Sequence, residues 1–103
     1  MHIINVALDF SQTPGARYKT DGPYSGQEFR EKFLEKLFQD EGDDSEIRVN
    51  FDGAAGYATS FLEEAFGGLA RKYGRDRCVK RLKFVSEEDP FLIEEVMGYI
   101  QDV

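Results

Sequence analysis

The fold is decided by residues 46–74, which read EIRVNFDGAAGYATSFLEEAFGGLARKYG. Apolar and polar residues alternate over 46–52, which predicts a strand with one buried face. The small residues of 53–56 (GAAG) favour a turn, and apolar residues then recur at helical spacing over 61–73. This stretch is therefore one unit of strand, turn and helix.

The same alternation appears at the beginning of the chain. Residues 2–10 alternate and predict a first strand, and the turn residues of 11–15 (SQTPG) follow it. Residues 16–20 are then expected to return as a short second strand. The first twenty residues thus predict a hairpin.

Two capping boxes mark the starts of helices. Ser25 stands three residues before Glu28, and Ser60 stands three residues before Glu63. In such a box the serine oxygen accepts a free N–H of the first turn, and the glutamate reaches back to the cap. We therefore expect helices to begin after Ser25 and after Ser60.

The end of the chain adds a strand and a helix. Residues 79–85 predict a last strand with Arg81 and Lys83 outward, and a terminal helix follows Pro90. Inside the second helix, Gly67-Gly68 costs helix stability, so something is expected to pack very close to the backbone there.

The predicted element order is β-β-α-β-α-β-α, in a single α/β domain covering residues 1–103. Strands that alternate are covered on one face only, so we expect a mixed four-stranded sheet with helices packed mainly on one face. The β-α-β-α-β core implies right-handed crossovers.

Composition excludes several classes of function. The 103 residues carry a formal net charge of -7, which disfavours binding to nucleic acid and to anionic membranes. No apolar run approaches the length of a membrane helix. The single cysteine allows no internal disulfide, which suits a reducing cytoplasm. We expect a cytoplasmic protein.

Catalytic chemistry has few candidate residues. His2 is the only histidine and Cys78 the only cysteine, so neither a zinc site nor a Cys-His pair is expected. The GAAG turn lies where a phosphate could bind, but it lacks the glycine-rich nucleotide motifs. The sequence predicts a protein that is not an enzyme, with no cofactor and no metal.

Two hydroxyl residues stand at the predicted start of the second helix, Thr59 and Ser60. A phosphate there would lie at the positive end of the helix dipole and would add about two negative charges to the surrounding surface. The alternative is that both hydroxyls only cap the helix.

Five stretches resemble the STAS-like domain family of unknown function: 15–18 (GARY), 21–26 (DGPYSG), 29–30 (FR), 51–53 (FDG) and 60–69 (SFLEEAFGGL). The resemblance implies the STAS-type fold of bacterial anti-anti-sigma factors. Those proteins bind a GHKL-type kinase and are switched by phosphorylation of a serine at the start of the helix after a central strand. Their motif reads Asp-Ser-Ser-Gly, whereas this chain has Ala58-Thr59-Ser60-Phe61.

The resemblance implies a regulatory module that binds a protein, such as a GHKL-type ATPase or another signalling protein, with Ser60 or Thr59 as the phosphoacceptor. The predicted partner-binding residues are Asp52, Gly53, Gly56, Tyr57, Phe61, Glu64, Arg17 and Tyr18. One alternative is an antitoxin-like or phage-defence accessory protein without a switch. Another is a small-ligand or nucleotide binder that uses Asp52, Arg17 and Glu64 around the GAAG turn.

Overall fold

The computed structural model describes all residues 1–103. Three strands, β1 (His2–Asn5), β2 (Ile47–Asn50) and β3 (Leu82–Val85), form one sheet in the order β1-β2-β3. Both strand pairs are parallel. The STAS-like mixture of helices and strands is as expected, but the predicted mixed four-stranded sheet is wrong, because there are three strands and all are parallel.

The chain between β1 and β2 contains one continuous helical segment, residues 26–37. It begins as α1 (Gly26–Phe29) and continues through a π-helical turn (Arg30–Leu34) into a 3-10 turn (Glu35–Leu37). We call it the N-terminal helical segment. Ser25 caps it as predicted, since its hydroxyl accepts the N–H of Glu28 at 3.0 Å, but the Glu28 carboxylate pairs with Lys32.

The chain between β2 and β3 contains two helical segments in succession. Residues 59–73 form one continuous segment made of α2 (Thr59–Leu62), a π-helical turn (Glu63–Gly67) and α3 (Gly68–Tyr73). We call it the central helical segment. The short helix α4 (Arg75–Arg81) follows after Gly74, and α5 (Phe91–Gln101) closes the chain. None of these helices has the combination of length and apolar character needed to cross a membrane.

The first strand is shorter than predicted. It ends at Asn5 because residues 6–10 wind into a π-helical turn. The Asp9 carboxylate accepts the Asn5 N–H at 2.8 Å, and the Asn5 side chain accepts the Leu8 N–H at 3.4 Å. Such local bonds to the main chain compete with strand formation. As a result Leu8, an apolar residue of the predicted strand, is 80% exposed.

The predicted second strand over 16–20 is absent, so there is no hairpin. The carbonyls of Ala16 and Arg17 accept the N–H groups of Gly26 and Gln27 at 2.8 and 3.0 Å. A helix start leaves its first N–H groups without partners inside the helix. This segment supplies two of those partners, and a 3-10 turn (Lys19–Asp21) follows it.

The last strand is also shorter than predicted. Residues 75–81 belong to α4, and only Leu82–Val85 joins the sheet. Arg81, expected to point outward, is 1% exposed. The alternating pattern matches the strand from Leu82 onward, but the prediction began the strand at residue 79, which lies inside α4.

The helices pack against one face of the sheet. Along β2 the residues Ile47 and Val49 are buried, whereas Arg48 between them is exposed. Ile3 and Lys83, which lie beside Arg48 in register, are exposed as well. The other face therefore has no helix over it, as the alternating pattern predicted. The core behind the covered face contains stacked and edge-on aromatic rings, among them Phe51 against Phe84.

Candidate functional site

The loop that follows β2 is tied to the loop that follows β3. The carboxylate of Asp52 accepts the N–H groups of Glu87 and Glu88 at 3.1 and 3.0 Å. In return the Gly53 N–H donates to the Glu88 carboxylate at 2.7 Å. Gly53 has φ +93°, a left-handed conformation that favours glycine. Asp52 and Gly53 therefore hold two loops together at the carboxyl end of the sheet.

Two further bonds fix the rest of the loop. The Ala55 N–H donates to the carbonyl of Gln12 at 2.8 Å, and the Tyr57 hydroxyl donates to the carbonyl of Phe51 at 2.7 Å. Burial raises the pKa of Tyr57, and the nearby Asp52 adds to the effect, so the phenol stays a neutral donor. Gly53, Gly56 and Ala58 nevertheless lie exposed on the outer side of this loop.

The start of the central helical segment differs from the capping prediction. Ala58 is the N-cap, and no side chain caps the helix there. Ser60 lies inside the first turn, so the predicted Ser60 and Glu63 capping box is wrong. Thr59 is exposed and Ser60 is half-buried. The first turn thus presents an uncapped, positive helix end next to an exposed hydroxyl.

The helix start contacts the last helix through Tyr99. The Tyr99 hydroxyl donates to the Glu95 carboxylate at 2.6 Å, and the Thr59 side chain lies near this hydroxyl. Burial raises the pKa of Tyr99, and the Glu95 carboxylate raises it further. Thr59 is therefore exposed to a partner on one side and adjacent to α5 on the other.

Arg17 contacts the central helical segment one turn beyond its start. Its guanidinium pairs with Glu63 at 2.5 Å and stands 3.7 Å from Glu64. Arg71 also pairs with Glu63, at 2.5 Å. Hydrogen bonds from Arg71 and from Arg17 hold the pKa of Glu63 below its usual range, although partial burial acts in the opposite direction. The adjacent Tyr18 is 47% exposed. The fold thus brings Arg17 to the second turn of the central helical segment, and Tyr18 follows it in the chain.

Two predicted contact residues are internal. Phe61 is fully buried in the core and Glu64 is 7% exposed. Glu64 pairs with Arg30, which also donates to the Glu64 carbonyl at 2.9 Å. A partner docking on the surface cannot reach either side chain in this conformation, so both support the site from inside.

The ion pairs around Arg30 explain the second glycine of the pair, Gly68. A methyl group added at Gly68 would stand 2.5 Å from Nη1 of Arg30, so the Gly68 position leaves room for the guanidinium. Arg30 also pairs with Glu35 at 2.9 Å, and Glu35 pairs with Lys72 at 2.5 Å. The close packing predicted from Gly67-Gly68 is confirmed at Gly68, and its cause is a charged side chain lying across the helix.

A cavity of about 290 Å³ lies between the loop after β2 and the start of α5. Its lining includes four carboxylates, from Asp52, Glu88, Asp89 and Glu95. These charges repel phosphate, which counts against a nucleotide in this cavity. Of the three residues of the ligand hypothesis, Arg17 and Glu64 stand 3.7 Å apart, whereas Asp52 is bonded to the 87–88 loop.

The one cysteine of the chain lies in the core. Cys78 is fully buried within α4, and burial raises its pKa to about 12. A thiol with that pKa is not nucleophilic near neutral pH. No cluster of three or more His, Cys, Asp or Glu side chains is arranged to hold a metal ion.

The chain belongs to the family described as STAS-like domain of unknown function (DUF4325), which matches residues 25–91. The matched stretch runs from the cap of the N-terminal helical segment to the first residue of α5, so it contains β2, the loop after it and the central helical segment. No curated protein and no solved structure matches the chain.

Proposed function

We propose that this chain is a non-catalytic regulatory module that binds a partner protein through the loop 52–58 and the start of the central helical segment. The observation that carries the proposal is the helix start itself. Ala58 leaves it uncapped, and the loop in front of it is exposed yet fixed by bonds to three other parts of the chain. A rigid exposed loop binds a partner with little loss of conformational freedom.

The contact surface that we propose consists of exposed residues only. Gly53, Gly56, Thr59 and Tyr18 can meet a partner directly, and Asp52 and Tyr57 hold the loop in position. Arg17 connects Tyr18 to the central helical segment through Glu63. Phe61 and Glu64 form the buried support beneath this surface.

We further propose that phosphorylation of Thr59 switches binding. Thr59 is more exposed than Ser60, which supports it as the acceptor for a kinase. A phosphate on Thr59 would meet free N–H groups of the first turn and would stand near Glu95 through Tyr99. The added charge would attract the helix end and repel the α5 carboxylate, so the surface on both sides of Thr59 would change.

A kinase and binding experiment tests this proposal. GHKL-type ATPases of the source organism are purified and incubated with ATP and the chain, and phosphate is located by mass spectrometry. We expect phosphate on wild-type protein and on Ser60→Ala, and none on Thr59→Val. Phosphate that persists on Thr59→Val but disappears from Ser60→Ala would assign the acceptor to Ser60 instead.

Binding is measured with the same ATPases by interferometry. Thr59→Glu is expected to weaken binding by about tenfold or more, because it places a carboxylate in the contact surface. Gln39→Glu is the control, since Gln39 is also exposed but follows the end of the N-terminal helical segment and is not part of the proposed contact surface. Equal binding by both variants would contradict the proposed surface. Loss of binding without any phosphorylation would favour an interaction protein that has no switch.

A further inference from the structure

The strand β1 has a neighbour on one side only, because the sheet order is β1-β2-β3. The His2 N–H donates toward β2, to the carbonyl of Glu46 at 2.9 Å. Alternate residues of a strand direct their main-chain groups to the same neighbour. The N–H and carbonyl of Ile3 therefore point away from the sheet.

The other outward-facing residue of β1 is already occupied. The Asn5 N–H donates to the Asp9 carboxylate at 2.8 Å. Ile3 is thus the strand residue whose N–H and carbonyl are both available at this edge. An available pair of this kind is a template for another strand, and proteins usually block it.

An apolar groove lies along the same edge. It has a volume of about 420 Å³, and its apolar lining comes from β1 and the N-terminal helical segment: Met1, Ile3, Ile4, Phe33 and Leu37. Met1 and Ile3 are 69% and 62% exposed. The groove also contains two charged residues, Lys36 and Asp9, both exposed.

The two charges lie at opposite ends of β1. Asp9 is bonded to Asn5, the last residue of the strand. In a β-α-β unit the helix runs back from the carboxyl ends of the strands to their amino ends. Lys36 is in the last turn of the N-terminal helical segment, so it lies near the amino end of β1.

We propose that β1 pairs in antiparallel fashion with β1 of a second copy of this chain, which makes one continuous six-stranded sheet. The two Ile3 residues oppose each other across a two-fold axis and exchange both hydrogen bonds. The amino end of one strand then lies beside the carboxyl end of the other, so each Lys36 meets Asp9 of the second copy. The apolar grooves of both copies join over the shared edge. The edge lies outside the matched residues 25–91 and is separate from the proposed docking surface.

Sedimentation velocity over a wide range of protein concentration tests the dimer. We expect a concentration-dependent dimer for the full chain, and we expect Ile3→Lys to weaken dimerisation by about tenfold or more, because a lysine on an edge strand opposes strand addition. Leu8→Lys is the matched control, since it makes the same change at a residue that is 80% exposed but lies outside the groove. Circular dichroism shows that each variant is folded.

A charge exchange tests the arrangement independently of Ile3. Lys36→Asp places two carboxylates against each other at both ends of the shared edge and should weaken the dimer. Combining Lys36→Asp with Asp9→Lys restores opposite charges and should recover dimerisation relative to the single variant. The proposal is overturned by a chain that remains monomeric at all concentrations, by equal loss in Ile3→Lys and Leu8→Lys, or by a double variant no better than Lys36→Asp.

Discussion

Arg81 shows how one buried side chain can fix several parts of a small protein. Its Nε donates to the carbonyl of Ser45 at 2.8 Å, and Nη1 donates to the carbonyl of Leu37. The guanidinium also lies 4.8 Å from the centre of the Phe38 ring and 3.5 Å from the Asp43 carboxylate. One residue thus joins the end of the N-terminal helical segment to the loop before β2 and to the start of β3.

Arg81→Met should lower the free energy of unfolding by about 3 kcal/mol, because it leaves buried carbonyls without a donor. Urea denaturation at neutral pH measures the change. Lys80→Met is the matched control: Lys80 pairs with Asp44 at 3.0 Å, but both side chains are more than half exposed. Lys80→Met should lower the free energy of unfolding by less than about 1 kcal/mol. Similar losses in both variants would mean that the Arg81 bonds do not contribute beyond a surface ion pair.

At the scale of elements, the N-terminal and central helical segments touch at Gly26. A methyl group added there would stand 3.1 Å from Cβ of Glu64 and even closer to the carbonyl oxygen of Phe61. The obstacle is helix main chain, which cannot turn aside as a flexible side chain could. The contact places the start of one segment directly against the first turns of the other, under the proposed docking surface.

Gly26→Ala should therefore destabilise the protein by about 2 kcal/mol, as expected for overpacking at a close contact. Gly98→Ala is the control, since Gly98 lies inside α5 with open space around its Cα. Alanine there should stabilise the protein by about 0.5–1 kcal/mol through helix propensity. Thermal unfolding measures both changes, and a neutral Gly26→Ala would show that the two segments can separate without loss.

The elements themselves could be predicted from sequence to different degrees. Apolar spacing identified β2 and the central helical segment, since their buried faces have a simple period. Residues 6–10 and 16–20 were misassigned because side-chain and helix-end hydrogen bonds outweigh the pattern that predicted strands there. Burial of Arg81 and Glu64 had no signal in local sequence, because their partners come from distant segments.

At the scale of the whole molecule, ion pairs connect both long helical segments. Burial alone would raise the pKa of Glu35, but hydrogen bonds from Lys72 and Arg30 outweigh it and hold that pKa below its usual range. The pKa of Glu63 is also lowered, and the hydrogen bond from Arg71 is the largest cause. Both carboxylates therefore bind protons less readily in the folded protein than in the unfolded chain.

These depressed pKa values determine how the stability of the protein changes with pH. Since these folded-state pKa values are depressed, the stabilisation is present above the ordinary glutamate value of 4.5 and is lost as pH falls below it through the folded values. Urea denaturation between pH 7 and about 3 should show stability decreasing in this acid range. Glu35→Gln should be less stable at neutral pH but should lose less on acidification. If Glu35→Gln loses as much stability on acidification as the wild type, Glu35 does not contribute to the pH dependence.

The loop and the helix start could be placed from sequence, because they follow from the unit of strand, turn and helix. Arg17 contacts this helix at Glu63, whereas the partner-binding roles of Arg17 and Tyr18 stay predictions. The cap assignment was wrong, because Ala58 rather than Ser60 begins the helix. A two-residue difference of this kind decides which hydroxyl is exposed, and sequence spacing does not resolve it.

The all-parallel order β1-β2-β3 has a consequence for the rate of folding. No two strands are joined by a tight turn, so every strand pairing joins residues far apart in sequence. Helical turns form from local contacts, whereas each strand pairing must first close a long loop of chain. The sheet therefore forms after the helices have brought its strands together, and refolding is expected to be slower than in a helical bundle of this length.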